Sequence, residues 1–322
     1  MRRLLMDLKR RLYVYTLLVM FLAIALGNYV EVNMKYMRAI GVLAVFLMLY
    51  PMMVRLAVEK LTKSAKNYRL IVASLFFAYA VGPLVAHFIG KSLLLDYPEL
   101  YAALILVGTI PCSNMLIGWS GIAGASVEDA LVVAVIGLLS IPVLSPPLTK
   151  FYLGSALNVD LMKLFITLTS YILLPLLLGY YTRKLIIRRK GAQYFNRLKE
   201  VLPGFSALGV LLIVFVASLK ASRVIVAQPI LIAYILVSLL AFYLVQTGLA
   251  LLALKALKFG YETGFIFLMA AVARSQAISL AVAATLFPAL TVLAISFKPV
   301  LQVLYILTLI YPMGDWLRRY MG

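Results

Sequence analysis

Two short polar stretches interrupt long apolar runs and carry the side chains best suited to chemistry. The first reads Pro-Cys-Ser-Asn at positions 111–114, halfway along an apolar run over residues 101–122. The second reads Ala-Arg-Ser-Gln at positions 273–276, in the middle of a later apolar run. About 20 apolar residues can span a bilayer, so both stretches are predicted to lie at mid-membrane depth. Polar interruptions of this kind are typical of transporter binding sites.

The first stretch offers both a soft and a hard ligand. Cys112 is the chain's only cysteine, and its thiolate would bind thiophilic ions such as As(III) or Sb(III). The alternative is a small buried side chain, which is the usual fate of a free cysteine. Ser113 and Asn114 offer oxygens that suit Na⁺ or a polar neutral substrate, although such residues also form hydrogen bonds between membrane helices.

The second stretch places a positive charge where the membrane makes charge costly. Arg274 is expected to face a cavity or a partner. It would neutralise an anionic substrate, take the place of a coupling cation, or cap carbonyls of a broken helix. Ser275 and Gln276 are candidate substrate contacts beside it. Lys298, next to Pro299 in the last apolar run, either reaches a central cavity or extends to the membrane interface.

Composition indicates an integral membrane protein. The 322-residue chain is 65% hydrophobic with a mean hydropathy of +1.05, whereas a soluble domain is closer to half apolar. The net charge of +19 does not indicate nucleic-acid binding, because the basic residues lie mainly in short loops between apolar runs. One cysteine excludes an intramolecular disulfide or a CxxC metal site. Hydrolase, metalloprotease and P-loop motifs are absent from the sequence, so we predict no enzyme, no cofactor and no metal site.

Ten apolar segments are predicted to span the membrane. Lysine and arginine concentrate at the N-terminus and in the loops after the second and sixth segments. Both termini are therefore predicted to be cytoplasmic, in the plasma membrane. The segments are residues 12–30, 36–57, 69–90, 99–123, 128–152, 160–186, 202–219, 225–255, 262–287 and 289–315.

These segments divide into two halves of five, residues 1–156 and 157–322, within one transmembrane domain over 1–322. Because five is odd, the halves must insert with opposite orientation, as in the inverted repeats of many secondary transporters. The two polar interruptions fall in segments four and nine, which are corresponding positions of the two halves. Pro111 predicts a break in segment four, since proline lacks a backbone N–H and its ring clashes with the preceding turn.

The chain resembles the arsenite-efflux (Acr3-type) branch of the bile acid/arsenite/riboflavin transporter superfamily over nearly its whole length. The most specific pieces are residues 46–52, the Gly-Pro-Leu at 82–84, residues 96–99, and residues 108–119 with their Pro-Cys. The resemblance implies ten transmembrane helices in two inverted five-helix repeats, with broken helices 4 and 9 crossing at the substrate site. It also implies that Cys112 is the cysteine that metalloid exporters need.

Two departures from this family bear on coupling. Acr3-type proteins carry an Asn-rich stretch and a glutamate in helix 9, whereas residues 274–279 read Arg-Ser-Gln-Ala-Ile-Ser, with no acid. That difference argues against the expected proton antiport. Ser113 and Asn114 resemble instead the sodium-coupled branch, so H⁺ and Na⁺ both remain possible coupling ions. Arg274 would then supply a fixed positive charge where relatives use a sodium ion.

The sequence thus predicts a secondary transporter that exports arsenite or antimonite. Cys112 would contact the metalloid, Ser113, Asn114 and Gln276 would line the site, and Arg274 would set its electrostatics. The alternative is transport of an organic anion, sodium-coupled or not, with Arg274 or Lys298 binding the carboxylate. The predicted partners are a small anion or metalloid and the lipid bilayer.

Overall fold

The protein is helical throughout the part that the structure, a computed structural model, describes. The described residues are 12–27, 29, 34–56, 67–112, 115–154, 157, 160–310, 312–314 and 318–319. Among them no strand is present, and one isolated bridge is the only extended pairing. Large apolar side chains remain exposed along the helices, including Leu18 (60%), Val72 (62%) and Leu252 (63%). The prediction of an all-α integral membrane protein is confirmed.

The helices are named here in chain order. They are α1 (Leu12–Gly27), α2 (Met34–Val54), α3 (Tyr68–Phe76), a π-helical turn (Phe77–Val81), α4 (Gly82–Leu93), α5 (Pro98–Thr109), α6 (Met115–Ile122), α7 (Val127–Leu153), α8 (Leu161–Ala227), α9 (Ile230–Leu257), α10 (Tyr261–Val272), α11 (Gln276–Leu286), α12 (Ala289–Ser296), α13 (Lys298–Tyr305) and a second π-helical turn (Ile306–Ile310).

Some of these helices are long enough to cross a membrane, and others are shorter apolar pieces. Within the described residues, five helical stretches have sufficient length and hydropathy: Tyr68–Leu93, Val127–Leu153, Leu161–Ala227, Ile230–Leu257 and Ala289–Gly314. Predicted segments four and nine are each divided into two short helices, α5 with α6 and α10 with α11. Among the described residues, the interruptions lie at 110–112 and 273–275, within or next to the two predicted polar stretches.

The basic stretch predicted as a loop between segments six and seven is helical instead. Helix α8 runs through it with one non-helical residue, Gly191 (φ 82, ψ 163). The positive φ favours glycine, which allows the chain to bend there. The helix persists because Phe195 and Leu202 are buried against Val54, so one face of the stretch has an apolar surface to cover.

The chain forms two compact units, and each draws on both halves of the sequence. The first contains Met1–Ala57, Ile166–Ala233 and Ala277–Val300, and the second contains Val58–Phe165, Tyr234–Gln276 and Leu301–Gly322. Both polar breaks belong to the second unit. The predicted division of the chain into two five-helix repeats, 1–156 and 157–322, stays a prediction.

The second unit is built around the short helices that precede the two breaks. Every residue of α5 from Leu100 to Thr109 is buried, as is every residue of α10 from Gly264 to Val272. Helix α5 packs against α4 and α7, whereas α10 packs against α3, α6 and α7. A helix that is apolar and buried on all sides faces protein rather than lipid. The breaks that follow these helices are therefore enclosed by protein.

Candidate functional site

The two breaks pair with each other. Cys112 and Arg274 form an antiparallel bridge, and the N–H of Ser275 donates to the carbonyl of Pro111 at 2.9 Å. We call residues 110–112 and 273–275 together the crossing. Backbone groups exposed inside a membrane must find partners, and here each break supplies partners to the other.

The first break follows from local chemistry. Helix α5 ends at Thr109, and Ile110 is extended (φ −102, ψ 117). A residue before proline is forced out of the helical region by contact with the proline ring. Gly137 of α7 faces the Pro111 ring, since a Cβ on Gly137 would lie in van der Waals contact with the proline Cβ, at 3.7 Å. The predicted break at Pro111 is confirmed.

One carbonyl freed by this break, that of Thr109, is bound by helix α7. The hydroxyl of Ser145 donates to the Thr109 carbonyl at 2.8 Å, and the hydroxyls of Thr109 and Thr149 lie 3.1 Å apart. Each of these three side chains is buried. Buried carbonyls without a partner destabilise a fold by about 1–3 kcal/mol each, so Ser145 stabilises the open end of α5.

The second break has no proline or glycine. Helix α10 ends at Val272, and Ala273 (φ −79, ψ 64) still donates its N–H to Met269 at 2.7 Å. The N–H of Arg274 then turns back to the carbonyl of Val272 at 2.8 Å. The chain leaves the helix at a residue with good helical propensity. Contacts with the rest of the unit must therefore hold this break open.

The guanidinium of Arg274 provides those contacts and is fully buried. Its three nitrogens all donate to backbone carbonyl oxygens. Nε donates to the carbonyl of Ala271 at 3.1 Å, Nη1 to the carbonyl of Ala78 at 3.1 Å, and Nη2 to the carbonyl of Phe77 at 3.4 Å. Phe77 and Ala78 belong to the π-helical turn, where the N–H of Gly82 reaches back to Phe77. Such turns loosen the regular pattern of backbone bonds and often occur at functional sites.

Two glycines make room for this arrangement. A Cβ on Gly82 would collide with the Arg274 guanidinium and lie 2.7 Å from the carbonyl of Gly108. A Cβ on Gly108 would lie 2.7 Å from that of Ala86. Helices α4 and α5 therefore approach closely only because neither position has a side chain, and this approach brings the π-helical turn within reach of Arg274.

Tyr79 links the same π-helical turn to helix α7. Its hydroxyl lies 2.8 Å from that of Ser140, and Ser140 in turn donates to the carbonyl of Gly137 at 2.8 Å. Gly137 is the residue that faces Pro111. The turn that binds Arg274 and the helix that supports Pro111 are thus joined by a hydrogen-bonded pair.

A second polar group holds the start of helix α6, which follows the first break. Tyr243 of α9 donates its hydroxyl to Oε1 of Gln302 at 3.3 Å, and Nε2 of Gln302 lies 3.5 Å from Sδ of Met115. The hydroxyl of Tyr305 donates to Thr247 at 2.8 Å. Met115 is the first residue of α6, so this group positions the helix that leaves the crossing.

The crossing brings together some of the predicted site residues. Cys112, with 3% of its surface exposed, lies directly beside Arg274, and Ser275 follows in the same bridge. Gln276 begins α11, and its buried Oε1 has no hydrogen-bond partner within the described part of the chain. As contacts to a substrate, all four stay predictions.

The remaining predicted site residues are not part of the described crossing. Ser113 and Asn114 lie outside the described residues. Lys298 is fully buried at the start of α13, in the other compact unit. Their roles in substrate binding also stay predictions.

Sequence reasoning assigned no role at the crossing to the residues that support it: Tyr79, Gly82, Gly108, Ser140 and Ser145. Each is an ordinary residue for a membrane helix, where small and hydroxyl side chains are frequent at packing surfaces. A usable signal was the position of Gly82 directly before Pro83, since such a pair inside a spanning segment often accompanies irregular backbone. The sequence around Ser145 has no feature that indicates a hydrogen bond to the carbonyl at the end of α5.

Residues 42–228, more than half of the chain, match the profile described as the Sodium Bile acid symporter family. The chain belongs to the sodium bile acid symporter family. The matched region contains the first break and ends before the second, so the Arg274 side of the crossing lies outside it.

Three curated relatives extend the comparison. The Arsenical-resistance protein Acr3 of Alkaliphilus metalliredigens is 26% identical over 200 residues, which are 58% of this chain and 55% of that protein. The Arsenical-resistance protein Acr3 of Corynebacterium glutamicum is 24% identical over 286 residues, 84% of this chain and 77% of the relative. An uncharacterized transporter of Synechocystis is 25% identical over 48% of this chain and 45% of its own length.

These matches confirm the predicted resemblance to Acr3-type proteins of the bile acid symporter superfamily. Because the family consists of transporters, they also confirm that this chain is not an enzyme. The chain spans only about half the length of the first relative. Its substrate and transport mechanism are therefore treated below as proposals.

Proposed function

We propose that this symporter-family protein is a secondary transporter that exports arsenite or antimonite across the plasma membrane. The observation that carries the proposal is the position of the only cysteine, enclosed in the bridge between two broken helices. Unwound segments inside the membrane are where transporters place their binding sites. Two of the relatives are named as arsenical-resistance proteins, which supports this substrate class.

The crossing offers chemistry that suits As(III). Arsenous acid is a neutral species with three hydroxyl groups on a thiophilic centre. The Cys112 sulfur would replace one hydroxyl, which leaves as water with the thiol proton, and hydrolysis would reverse the step on release. The buried Oε1 of Gln276, which has no partner among the described residues, would accept a hydrogen bond from a remaining hydroxyl. Ser113 and Asn114 would line the same site.

The proposed architecture is ten transmembrane helices in two inverted five-helix repeats, with helices 4 and 9 broken and crossing. Two observations support it. Each compact unit combines segments from both halves of the chain, and the two breaks pair in antiparallel fashion, as inverted repeats require. The charge distribution of the loops supports cytoplasmic N- and C-termini. Alternating access would rock one group of helices against the group that contains both breaks.

Arg274 would serve as a fixed positive charge in place of a coupling cation. Its guanidinium does not readily release its proton, and it occupies a position bounded by three carbonyl oxygens. Carbonyl oxygens are common ligands of hard cations. Transport is then expected to be independent of sodium. Purified protein in liposomes tests this point directly, because an arsenite flux that requires a sodium gradient would contradict it.

The main test is rescue of arsenite-sensitive cells by the protein and its Cys112→Ser variant. We expect the variant to abolish resistance at unchanged expression, since serine oxygen does not bind As(III) as thiolate sulfur does. Ala250→Ser is the matched control, because it places a hydroxyl at a fully buried position of helix α9 away from the breaks. Full resistance with Cys112→Ser would overturn the metalloid proposal.

An organic anion is the second candidate substrate, sodium-coupled or sodium-independent. The family description names a bile acid symporter, and two cations, Arg274 and Lys298, are fully buried. In that case Arg274→Ala is the more damaging variant, and Cys112→Ser is tolerated. Testing both variants side by side, with arsenite resistance and uptake of a labelled bile acid as readouts, distinguishes the two substrates.

A further inference from the structure

A groove separate from the crossing lies where helix α7 ends and helix α8 begins. Its volume is about 890 Å³, and all of its lining residues belong to the second compact unit. Its walls are apolar along most of their length, whereas three charged side chains, Lys150, Asp160 and Lys163, line it as well. The groove therefore has an apolar part and a charged part.

The apolar part consists of side chains that are exposed on two apolar helices. Val143 on α7 is 65% exposed, and Met162 and Phe165 on α8 are 64% and 41% exposed. Both helices are long and apolar enough to cross a bilayer. Exposed apolar surface on such helices is covered by lipid tails rather than by water. A groove of this kind holds an acyl chain.

The charged part lies where the first of these two helices ends and the second begins. Lys150 is in the last turn of α7 and Lys163 is in the first turn of α8, and both side chains line the groove. Amphipathic lysine side chains reach toward lipid headgroups from such positions. Two ammonium groups beside an apolar groove match the phosphate of a phospholipid.

Asp160 adds a negative charge to the same place. Its Oδ1 accepts the backbone N–H groups of Met162 at 2.9 Å and Lys163 at 3.1 Å. Both hydrogen bonds favour the ionised form of this carboxyl group. Its Oδ2 lies 3.6 Å from the Lys163 ammonium. Exposed ion pairs of this kind contribute little, so both groups can interact with a ligand.

We propose that the groove binds a phospholipid with a primary-amine headgroup, of the phosphatidylethanolamine type. The phosphate lies between Lys150 and Lys163, the headgroup ammonium donates to Asp160, and one acyl chain follows the apolar wall. A glycerol headgroup offers no positive charge to Asp160, and a choline headgroup has no N–H to donate. The pattern of two positive charges and one negative charge therefore selects the amine.

The experiment is native mass spectrometry of the purified full-length protein, incubated with equal amounts of phosphatidylethanolamine, phosphatidylglycerol and phosphatidylcholine. We expect selective retention of phosphatidylethanolamine. The double variant Lys150→Gln, Lys163→Gln should lose that retention. The matched control is Lys91→Gln, Lys220→Gln, which removes two exposed lysines elsewhere and should leave retention unchanged.

A third variant distinguishes recognition of the headgroup amine from recognition of the phosphate. Asp160→Asn keeps an oxygen that caps helix α8, since asparagine is as good a cap as aspartate, but it removes the negative charge. It should bind phosphatidylethanolamine and phosphatidylcholine equally, with an unchanged melting temperature in detergent. Preference of the wild-type protein for phosphatidylglycerol, equal retention of all three lipids, or the same loss in the control double variant would overturn the proposal.

Discussion

The two breaks that meet at the crossing differ in what interrupts the helix. At the first, Pro111 removes a backbone donor and Ile110 is extended, as expected for a residue before proline. At the second, the chain leaves the helix at Ala273, without a proline or a glycine. There the guanidinium of Arg274 and the N–H of Ser275 bind carbonyls on other elements.

This difference indicates a dependence of the second break on the first. The N–H of Ser275 has its partner only because Pro111 lies outside a helix, where its carbonyl is available to a donor from another segment. The guanidinium of Arg274 has its partners only because the π-helical turn at Phe77–Val81 presents two carbonyls. The second break should therefore be more sensitive to changes elsewhere in the unit than to changes in its own sequence.

The largest effect is expected for Gly82→Ala. The new methyl group would collide with the Arg274 guanidinium and lie 2.7 Å from the carbonyl of Gly108, and overpacking of this kind destabilises by about 1–3 kcal/mol or more. We expect loss of monodisperse protein in size-exclusion chromatography of a fluorescent fusion. Gly118→Ala is the control, since a Cβ there meets nothing within 4 Å. Equal yields of the two variants would contradict a dependence of the second break on Gly82.

An intermediate effect is expected for Ser275→Pro compared with Ser275→Ala. Proline removes the N–H that donates to Pro111 at 2.9 Å and leaves that carbonyl without this donor, which destabilises by about 1–3 kcal/mol. Alanine retains the backbone bond. The measurement is the melting temperature of each purified variant, together with arsenite resistance. If the two variants have the same melting temperature, the backbone hydrogen bond between the breaks does not stabilise the crossing.

The smallest effect is expected for Pro111→Ala. The added N–H at residue 111 permits a continuous helix. However, Ser145 still donates to the carbonyl of Thr109, and the N–H of Ser275 still donates to the carbonyl of residue 111. We expect the break to persist, with a loss of about 0.4–1 kcal/mol from the greater freedom of the unfolded chain. Thermal unfolding and arsenite resistance measure the outcome. Loss of resistance with normal expression would show that proline itself, rather than its surroundings, holds the first break.

The sequence predicted the membrane class, the break at Pro111 and the polar interruption around Arg274. Hydropathy over about 20 residues determines whether a segment enters a bilayer, and proline acts on its own backbone. Such properties are local. The helical course of the basic stretch at Gly191 was not predicted, because it depends on burial of Phe195 and Leu202 against Val54, more than 130 positions away.

The sequence by itself determined which side chains are available at mid-membrane depth: a thiol at Cys112 and a guanidinium at Arg274. Only the tertiary structure decided that they lie side by side, since their pairing depends on the close approach of helices at Gly82 and Gly108. Close packing without side chains, and hydrogen bonds to backbone carbonyls, leave no periodic pattern in a sequence. Backbone groups inside a membrane must nevertheless be paired, and that requirement joins the two breaks.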